Sequence, residues 1–246
     1  MATIAIYNMK GGVGKTTVAV NLAWAAATQS GMRTLLWDLD AQAASSFILG
    51  GDAPRATEAR SLFEGRAEAA DAIVQTSTAG LDLLPADKSL RTLDAILQDA
   101  RGARRLARLL ATLSDRYDCV ILDCPPGLGP TGEQILRGAS VILVPMIPST
   151  LSVRACDEVC EYVGEVMEQG PPIFPIFTMV DRRRTAHRLA LAADPTFPTI
   201  PAASAVEMMG DRHAPVGAYA PRSQAALAFL NLWSLVEPHA RTPRTG

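Results

Sequence analysis

A glycine-rich loop between a strand and a helix is the feature that most constrains how this chain folds. The apolar run at residues 3–7 predicts a buried strand, residues 18–27 predict a helix, and Gly11, Gly12 and Gly14 lie between them. Glycines let backbone N–H groups turn inward, and the positive end of the following helix dipole favours an anion. The arrangement predicts a phosphate-binding loop in an α/β domain.

The spacing of this loop departs from the standard pattern G-x-x-x-x-G-K-[ST]. Met9 stands where the first glycine belongs, and Lys10 follows it. The end of the pattern, Gly14-Lys15-Thr16, is intact, so we expect the loop to bind phosphate. The alternative is a glycine-rich turn between a strand and a helix that binds no phosphate. We expect Lys15 to reach the β- and γ-phosphates, Thr16 to bind Mg²⁺ and Thr17 to contact the α-phosphate.

Two further apolar runs end in aspartates. The run at residues 33–40 carries Asp38 and Asp40 at alternate positions, which point to the same side of a strand. The run at residues 117–123 ends in Asp123, the Walker B form in which a carboxylate holds a Mg²⁺-bound water or the loop threonine. Ligands bind at the carboxyl ends of parallel strands, so we expect these aspartates to face the glycine loop. Single aspartates at strand ends are otherwise usually helix caps.

Residues 10–17 resemble the signature of the ParA/MinD group of deviant Walker A ATPases. Residues 38–42 are similar to the D-x-D-P-Q motif of ParA proteins, with Ala41 in place of the proline, and residues 123–129 resemble their D-x-P-P-x-x-G switch region. The resemblance covers nearly the whole chain and is closest to the ParA-type partition ATPases. It implies an α/β P-loop NTPase fold, a doubly wound, mostly parallel sheet flanked by helices.

The resemblance also assigns roles to individual residues. It implies that Lys10 crosses an ATP-bound dimer to the partner's nucleotide, that Asp40 orients the attacking water, and that Asp38 supports the Mg²⁺ shell. The expected catalytic residues are Lys10, Lys15 and Asp40. The expected metal residues are Thr16, Asp38 and Asp123. The expected ATP-binding residues are Gly11, Gly12, Val13, Gly14, Lys15, Thr16, Thr17 and Pro201.

A basic cluster occupies residues 182–188, where four arginines and a histidine follow a predicted strand at 173–180. The whole chain has 23 Lys+Arg against 25 Asp+Glu, so any DNA contact must come from a local patch. The family resemblance favours nonspecific DNA binding here; a basic loop that serves solubility alone is the alternative. The stretch after the cluster is shorter than in typical ParA proteins, and Ala202 stands where they usually have arginine. The expected DNA-binding residues are Arg182, Arg183, Arg184 and Arg188.

Other stretches predict scaffold rather than chemistry. We interpret residues 43–80 as a variable, chemically silent linker with a weak helical pattern. Apolar residues at three- and four-residue intervals predict an amphipathic helix over residues 89–113, which Gly102 can interrupt. A closing helix is predicted at residues 221–235. The length of 246 residues and the 48% apolar content suit one ATPase domain, residues 1–237, with a flexible tail at 238–246.

Location and partners follow from the same observations. The chain begins directly with a strand and has no apolar run of about 18 residues, so we expect a cytoplasmic protein. Four cysteines without close-paired spacing are expected to be small buried residues of a reducing cytosol. The resemblance implies association with the nucleoid, a homodimer with ATP, and slow, Mg²⁺-dependent hydrolysis stimulated by a ParB-like or adaptor protein. Such a protein positions a plasmid, a chromosome or a protein cluster.

Two other functions use the same glycine loop. A MinD-like membrane or scaffold regulator would end in a basic amphipathic helix, but residues 238–246 are polar and lack apolar anchors, which disfavours a membrane partner. An iron–sulfur reductase related to the nitrogenase iron protein would bridge its dimer with a cluster held by two cysteines per subunit. Here Cys124 directly follows Asp123, whereas the cluster ligand of that family lies several residues further on.

Overall fold

A single sheet organises the part of the chain that the computed structural model describes, residues 1–50, 57–98, 104–167 and 170–241. The strand order within these residues is β3-β4-β2-β5-β1-β6-β7-β8, and every neighbouring pair is parallel except β3 with β4. The strands are β1 (Ala2–Ile6), β2 (Thr34–Asp38), β3 (Val74–Gln75), β4 (Leu81–Leu84), β5 (Cys119–Asp123), β6 (Val141–Met146), β7 (Ile173–Val180) and β8 (Thr199–Pro201).

Helices cover both faces of this sheet, which confirms the predicted α/β class. A 3-10 turn at Lys88–Thr92 precedes the fifth helix. The helices are α1 (Lys15–Ser30), α2 (Ala44–Gly50), α3 (Arg60–Glu64), α4 (Ala69–Ala72), α5 (Leu93–Leu97), α6 (Arg105–Thr112), α7 (Pro130–Gly138), α8 (Thr150–Val166), α9 (Thr185–Ala193), α10 (Ser204–Glu207), α11 (Met209–Arg212), α12 (Val216–Tyr219) and α13 (Gln224–Arg241). None of them combines the length and apolarity that crossing a bilayer requires.

The core lies in two layers, one on each face of the sheet. Side chains alternate between the faces along a strand, so Ile4 and Ile6 of β1 pack with α1 and α13, while Ala5 and Tyr7 pack with α7 and α8. Both faces are covered, which explains why the central strands are continuous apolar runs rather than alternating ones. The parallel arrangement brings the carboxyl ends of β1, β2, β5 and β6 to one edge, above which a site can form.

Four sequence predictions differ from the structure. Cys160, which was expected to be buried like the other three cysteines, is exposed. The stretch predicted as one helix at 89–113 contains the 3-10 turn, α5 and α6, and Gly102 lies outside the described residues. Residues 57–74 form two short helices rather than one. The structure places residues 238–241 inside α13, where the sequence predicted the start of the tail, because Ala240 is buried and the His239 ring packs edge-on against Phe174 at 5.0 Å. The rest of the predicted tail, residues 242–246, lies outside the described residues.

Candidate active site

The glycine loop is anchored from the neighbouring strands. Asn8 donates from Nδ2 to the carbonyl of Pro145 at 2.8 Å and accepts the Lys10 N–H at Oδ1 at 2.9 Å. The Thr178 hydroxyl donates to the Val13 carbonyl at 2.7 Å. These bonds hold the two halves of the loop to β6 and β7, so the loop is preorganised before any ligand arrives.

The concave side of this loop is suited to an anion. Gly12 (φ 72°) and Gly14 (φ 87°) adopt the left-handed conformation that favours glycine. An ideal Cβ at Gly11 or Gly12 would meet no atom within 4 Å, so this side of the loop is open. The 16-residue α1 has no side-chain N-cap and no acidic residue in its first turn. Its first N–H groups and the positive end of its dipole are therefore directed at the space in front of the loop.

Lys15 already lies inside this cradle. Its side chain is buried, and Nζ donates to the carbonyls of Lys10 at 2.9 Å and Asn8 at 3.3 Å. Burial lowers the pKa of Lys15, while the nearby Cys124, Asp123 and Asp40 oppose that shift. The ammonium group is held at the loop by carbonyl oxygens that a bound phosphate can replace.

Lys10 has the opposite character. It is exposed, and its Nζ donates to the carbonyl of Leu151 at the start of α8 at 3.3 Å, away from the cradle that holds Lys15. A single exposed hydrogen bond of this length holds a lysine weakly. Its role across a dimer stays a prediction.

Two buried carboxylates lie side by side at the sheet edge. Asp38 of β2 and Asp123 of β5 are direct register partners, and Ile6, the last residue of β1, pairs with Asp123 on the other side. Asp38 accepts hydrogen bonds from the hydroxyl of Ser46 at 2.6 Å, the Ser46 N–H at 2.9 Å and the Asp40 N–H at 3.1 Å. Asp38 is therefore held firmly by the chain itself.

Asp123 is different, because neither of its carboxylate oxygens has a hydrogen-bond partner among the described residues. Burial raises the pKa of Asp123 and the Asp38 carboxylate adds to the shift, while the hydroxyls of Thr16 and Ser45 oppose it without forming a hydrogen bond of normal geometry. An unpartnered buried carboxylate beside a threonine hydroxyl is a suitable donor set for a hard divalent cation. Thr16 and Asp123 therefore fit the expected Mg²⁺ site.

The unpartnered carboxylate should make the nucleotide-free protein less stable. The pKa of Asp123 is raised in the folded protein, so folded Asp123 keeps its proton at pH values where the unfolded chain, with a pKa of about 4, has released it. The free energy of unfolding therefore falls as the pH rises from about 4 to the raised pKa. We expect Asp123→Asn to raise Tm in EDTA at pH 8, by about 2–4 °C for each 1 kcal/mol recovered, and by less at pH 5. Thermal unfolding at both pH values measures the change in Tm, with a substitution of the exposed Asp157, Asp157→Asn, as the control. An equal rise in Tm at pH 8 and pH 5 would contradict the prediction.

Asp40 borders a separate cavity of about 200 Å³. Its Oδ1 accepts the Gln42 N–H at 2.9 Å, which closes a tight turn after β2. The cavity lies between this turn, the segment around Asp94 and the loop that follows β5. That loop is tied to the start of the glycine loop, because the Tyr7 hydroxyl donates to the Gly127 carbonyl at 2.7 Å and the Gly127 N–H donates to Met9 at 3.1 Å.

Comparison with known proteins agrees with this geometry. A family model described as an AAA domain matches residues 1–175. The chromosome partitioning protein ParA of Caulobacter vibrioides is 35% identical over 193 residues, which are 75% of this chain and 72% of that protein. The chain belongs to the ParA/MinD family of ATPases.

Solved structures of this family and its relatives superpose on nearly the whole chain. Cobyrinic acid a,c-diamide synthase from Mycobacterium smegmatis, with a bound ATP analogue and magnesium, is 28% identical with a TM-score of 0.81 and covers 99% of this chain and 97% of its own. The cell division ATPase MinD of Pyrococcus furiosus is 26% identical with a TM-score of 0.80 and covers 96% of this chain and 98% of its own. The ParA/MinD fold is thus shared across the length of the molecule.

The arginines of the basic cluster at residues 182–188 differ in their hydrogen bonds. Arg183 pairs with Asp181 through Nε at 2.9 Å and Nη2 at 3.0 Å, and this hydrogen bond lowers the pKa of Asp181 to about 2. Arg188 donates to the carbonyls of Arg182 and Arg183 at 3.3 and 3.1 Å. The guanidinium groups of Arg183 and Arg188 thus shape the turn before α9.

Pro201, one of the expected ATP-binding residues of this ParA/MinD protein, does not line the cavity that Asp40 borders. It lines a cleft of about 690 Å³ between β8 and α13, together with Arg182, Thr199 and Gln224. Contact of Pro201 with a base stays a prediction.

Sequence reasoning missed the serines that control the carboxylates of this ATPase-family site. Residues 43–80 were expected to be chemically silent, yet Ser46 binds Asp38. The buried Ser45 hydroxyl, which has no hydrogen-bond partner in the part of the chain that the structure describes, lies near Asp123. The sequence feature that could have indicated this role is the serine pair Ser45-Ser46, a few residues after the D-x-D motif at 38–40. Cys124, considered above as a cluster ligand, is fully buried and donates to the Leu122 carbonyl at 3.4 Å.

Proposed function

We propose that this protein binds Mg²⁺-ATP in the glycine loop, forms an ATP-sandwich dimer, binds DNA nonspecifically as that dimer, and hydrolyses ATP slowly to position a cargo. The observation that carries this proposal is the Asp123 carboxylate, which is buried beside Thr16 without a hydrogen-bond partner among the described residues, at the foot of an open loop that already holds Lys15. The relative from Mycobacterium smegmatis, with its ATP analogue and magnesium, supports the same ligand here.

The proposed chemistry divides the residues into three groups. The N–H groups of the loop and of the first turn of α1 bind the phosphate oxygens together with Lys15, while Thr16 and Asp123 hold Mg²⁺ with Asp38 behind them. When bound, the ion neutralises charge on the phosphates. Asp40 orients the attacking water from its turn after β2. Phosphoryl transfer of this kind depends on positioning and charge stabilisation more than on covalent chemistry.

The proposed dimer uses Lys10 as the residue supplied to the partner's nucleotide. Lys10 is exposed, and within the described part of the chain its Nζ is held only by the Leu151 carbonyl, so it can leave this contact at little cost. An added positive charge near the β- and γ-phosphates stabilises the transition state in the way that other phosphoryl-transfer enzymes use an arginine. Because such a homodimer forms only with ATP at its interface, any binding surface built from both copies exists only in the ATP-bound state.

DNA binding is proposed for the basic cluster, and the structure sharpens the choice of residues. Arg182 and Arg184 are exposed, and each has a guanidinium group with no ion pair among the described residues, whereas Arg183 and Arg188 are engaged within the turn. Exposed guanidinium groups bind phosphate without reading sequence.

We expect Arg182→Glu and Arg184→Glu each to weaken DNA retention by the ATP-bound protein about tenfold at low salt, because each change removes one phosphate contact and adds a repulsive charge. The matched control is Arg116→Glu, an exposed arginine before β5 and therefore at the opposite edge of the sheet. Gel shifts across a salt series measure the effect. Equal losses in all three variants would mean that only net charge matters and that the cluster is not the DNA surface.

The experiment that tests the proposed function as a whole is co-sedimentation with DNA in the absence of nucleotide, with ADP and with ATP. Pelleting that requires ATP, together with a dimer in light scattering, supports the proposal. Pelleting with anionic liposomes instead of DNA supports the MinD-like alternative, a nucleotide-gated membrane or scaffold regulator. The proposed stimulating partner is a ParB-like or adaptor protein, and the proposed location is the nucleoid.

A further inference from the structure

One side chain outside the known motifs is joined to the loop that follows β5. Asp94, on α5, accepts at Oδ1 the hydroxyl of Thr131 at 2.6 Å and the Thr131 N–H at 3.0 Å. Thr131 is buried in the first turn of α7, which has no side-chain cap of its own from Gly129. Asp94 therefore caps α7 from a different helix and places a negative charge at the positive end of its dipole.

The fit between these segments is close. An ideal Cβ at Gly129 would lie 2.5 Å from Oδ2 of Asp94, so a larger residue there would displace the carboxylate. The loop that follows β5 is thus attached at two points. Near its middle, Gly127 is bound to Tyr7 and to Met9 at the base of the glycine loop. At its far end, Thr131 is bound to Asp94, and Gly129 lies directly against the Asp94 carboxylate.

The position of this second attachment connects it to the chemistry. The cavity of about 200 Å³ is lined on one side by Asp40 and its turn, on another by the segment that carries Asp94, and on the third by the loop that follows β5. Asp94 thus fixes the start of α7, and with it the end of the loop that follows β5, at the cavity that Asp40 also borders. It touches neither the glycine loop nor the proposed metal residues through any described hydrogen bond.

We propose that Asp94 is a positioning residue for ATP hydrolysis, which holds the loop at 124–129 in the arrangement that shapes the cavity bordered by Asp40. The inference rests on the proposed function. Phosphate binding depends on the glycine loop and α1, so the ground-state affinity for ATP does not need this attachment. The transition state for hydrolysis does need the attachment, because a loop released at one end adopts several arrangements, and only one of them supports the reaction.

The test compares Asp94→Ala, Asp94→Asn and Thr131→Val with the wild-type protein. We expect Asp94→Ala to lower kcat about tenfold with the ATP Kd changed less than about twofold, because misplacement of reacting groups costs rate rather than binding. Asparagine keeps an acceptor for Thr131, so Asp94→Asn should recover most of the rate. Thr131→Val keeps the side-chain volume and removes one donor, so it should give an intermediate kcat.

Ser149→Ala is the matched control, because Ser149 caps α8 by accepting the Ser152 N–H at 3.2 Å. It should lower Tm as the Asp94 variants do while leaving kcat unchanged. If Asp94→Ala and Thr131→Val lose stability but keep wild-type kcat, the positioning role is overturned and Asp94 is a cap alone. A wild-type protein that binds no ATP would overturn the proposed function instead, so the two failures are distinguishable.

Discussion

Lys15→Ala should lose ATP binding by at least about 100-fold, a cost of about 3 kcal/mol, because charge-assisted hydrogen bonds to phosphate are among the strongest that a side chain makes. The structure adds a reason beyond the motif. The Lys15 ammonium is buried at the loop and bonded to two backbone carbonyls, so it needs little reorganisation to receive a phosphate. Alanine removes the charge and leaves those carbonyls facing incoming phosphate oxygens, which adds repulsion to the loss of attraction.

Isothermal titration with ATP and Mg²⁺ measures this loss. The control is Lys88→Ala, an exposed lysine of the 3-10 turn that precedes α5. Circular dichroism should show that Lys15→Ala remains folded, since the buried charge that it removes contributes its own desolvation cost to the wild-type protein. ATP affinity within threefold of wild type in a folded Lys15→Ala protein would mean that the glycine loop is not the nucleotide site.

Asp40→Ala should bind ATP and dimerise but lose turnover by about 100-fold or more, the usual contribution of a residue that activates or orients the reacting water. The half-exposed Asp40 carboxylate lies on the tight turn after β2 and borders the cavity beside the loop that follows β5. Among the described residues, its carboxylate makes no hydrogen bond to the loop N–H groups that are proposed to bind phosphate, so ground-state affinity should be preserved.

A second substitution separates chemistry from loop geometry. Oδ1 of Asp40 accepts the Gln42 N–H, and asparagine can keep that bond while losing the negative charge. We therefore expect Asp40→Asn to be as inactive as Asp40→Ala in a phosphate-release assay, with ATP-dependent dimers accumulating in both variants. Substantial activity in Asp40→Asn would show that the turn matters and the carboxylate charge does not.

Much of the proposed site could be predicted because its residues are contiguous in the chain. The strand, glycines and Lys15 of the phosphate loop occupy one short stretch, and each aspartate stands at the end of an apolar run. Neighbouring strands of a parallel sheet end at the same edge, so Asp38 and Asp123 had to approach the loop once the sheet was inferred. The resemblance to ParA proteins added roles for Lys10 and Asp40 that the pattern alone does not contain.

The remaining features depend on contacts between distant parts of the chain. The Asp94 to Thr131 bond joins residues 37 apart, and the bond from Thr178 to the glycine loop joins residues 165 apart. Periodicity extended one helix across residues 89–113, but the described part is divided into a 3-10 turn and two helices that pack against α3 and α7, since tertiary contacts override local preference. The four arginines looked equivalent in the sequence, and only their neighbours distinguish them.

By itself, the sequence determined the α/β class, the phosphate loop and the order of the carboxylates, because these depend on local spacing and on the apolar content of short runs. The tertiary structure decided which of the two buried carboxylates, Asp38 and Asp123, has hydrogen-bond donors and which has none among the described residues. Ser46 reaches Asp38 only after α2 folds back over the sheet edge, whereas no side chain reaches Asp123 with hydrogen-bond geometry in the described part of the chain. Hydrogen bonding and desolvation act through space, so the charge state of such a group follows from the fold rather than from its neighbours in the chain.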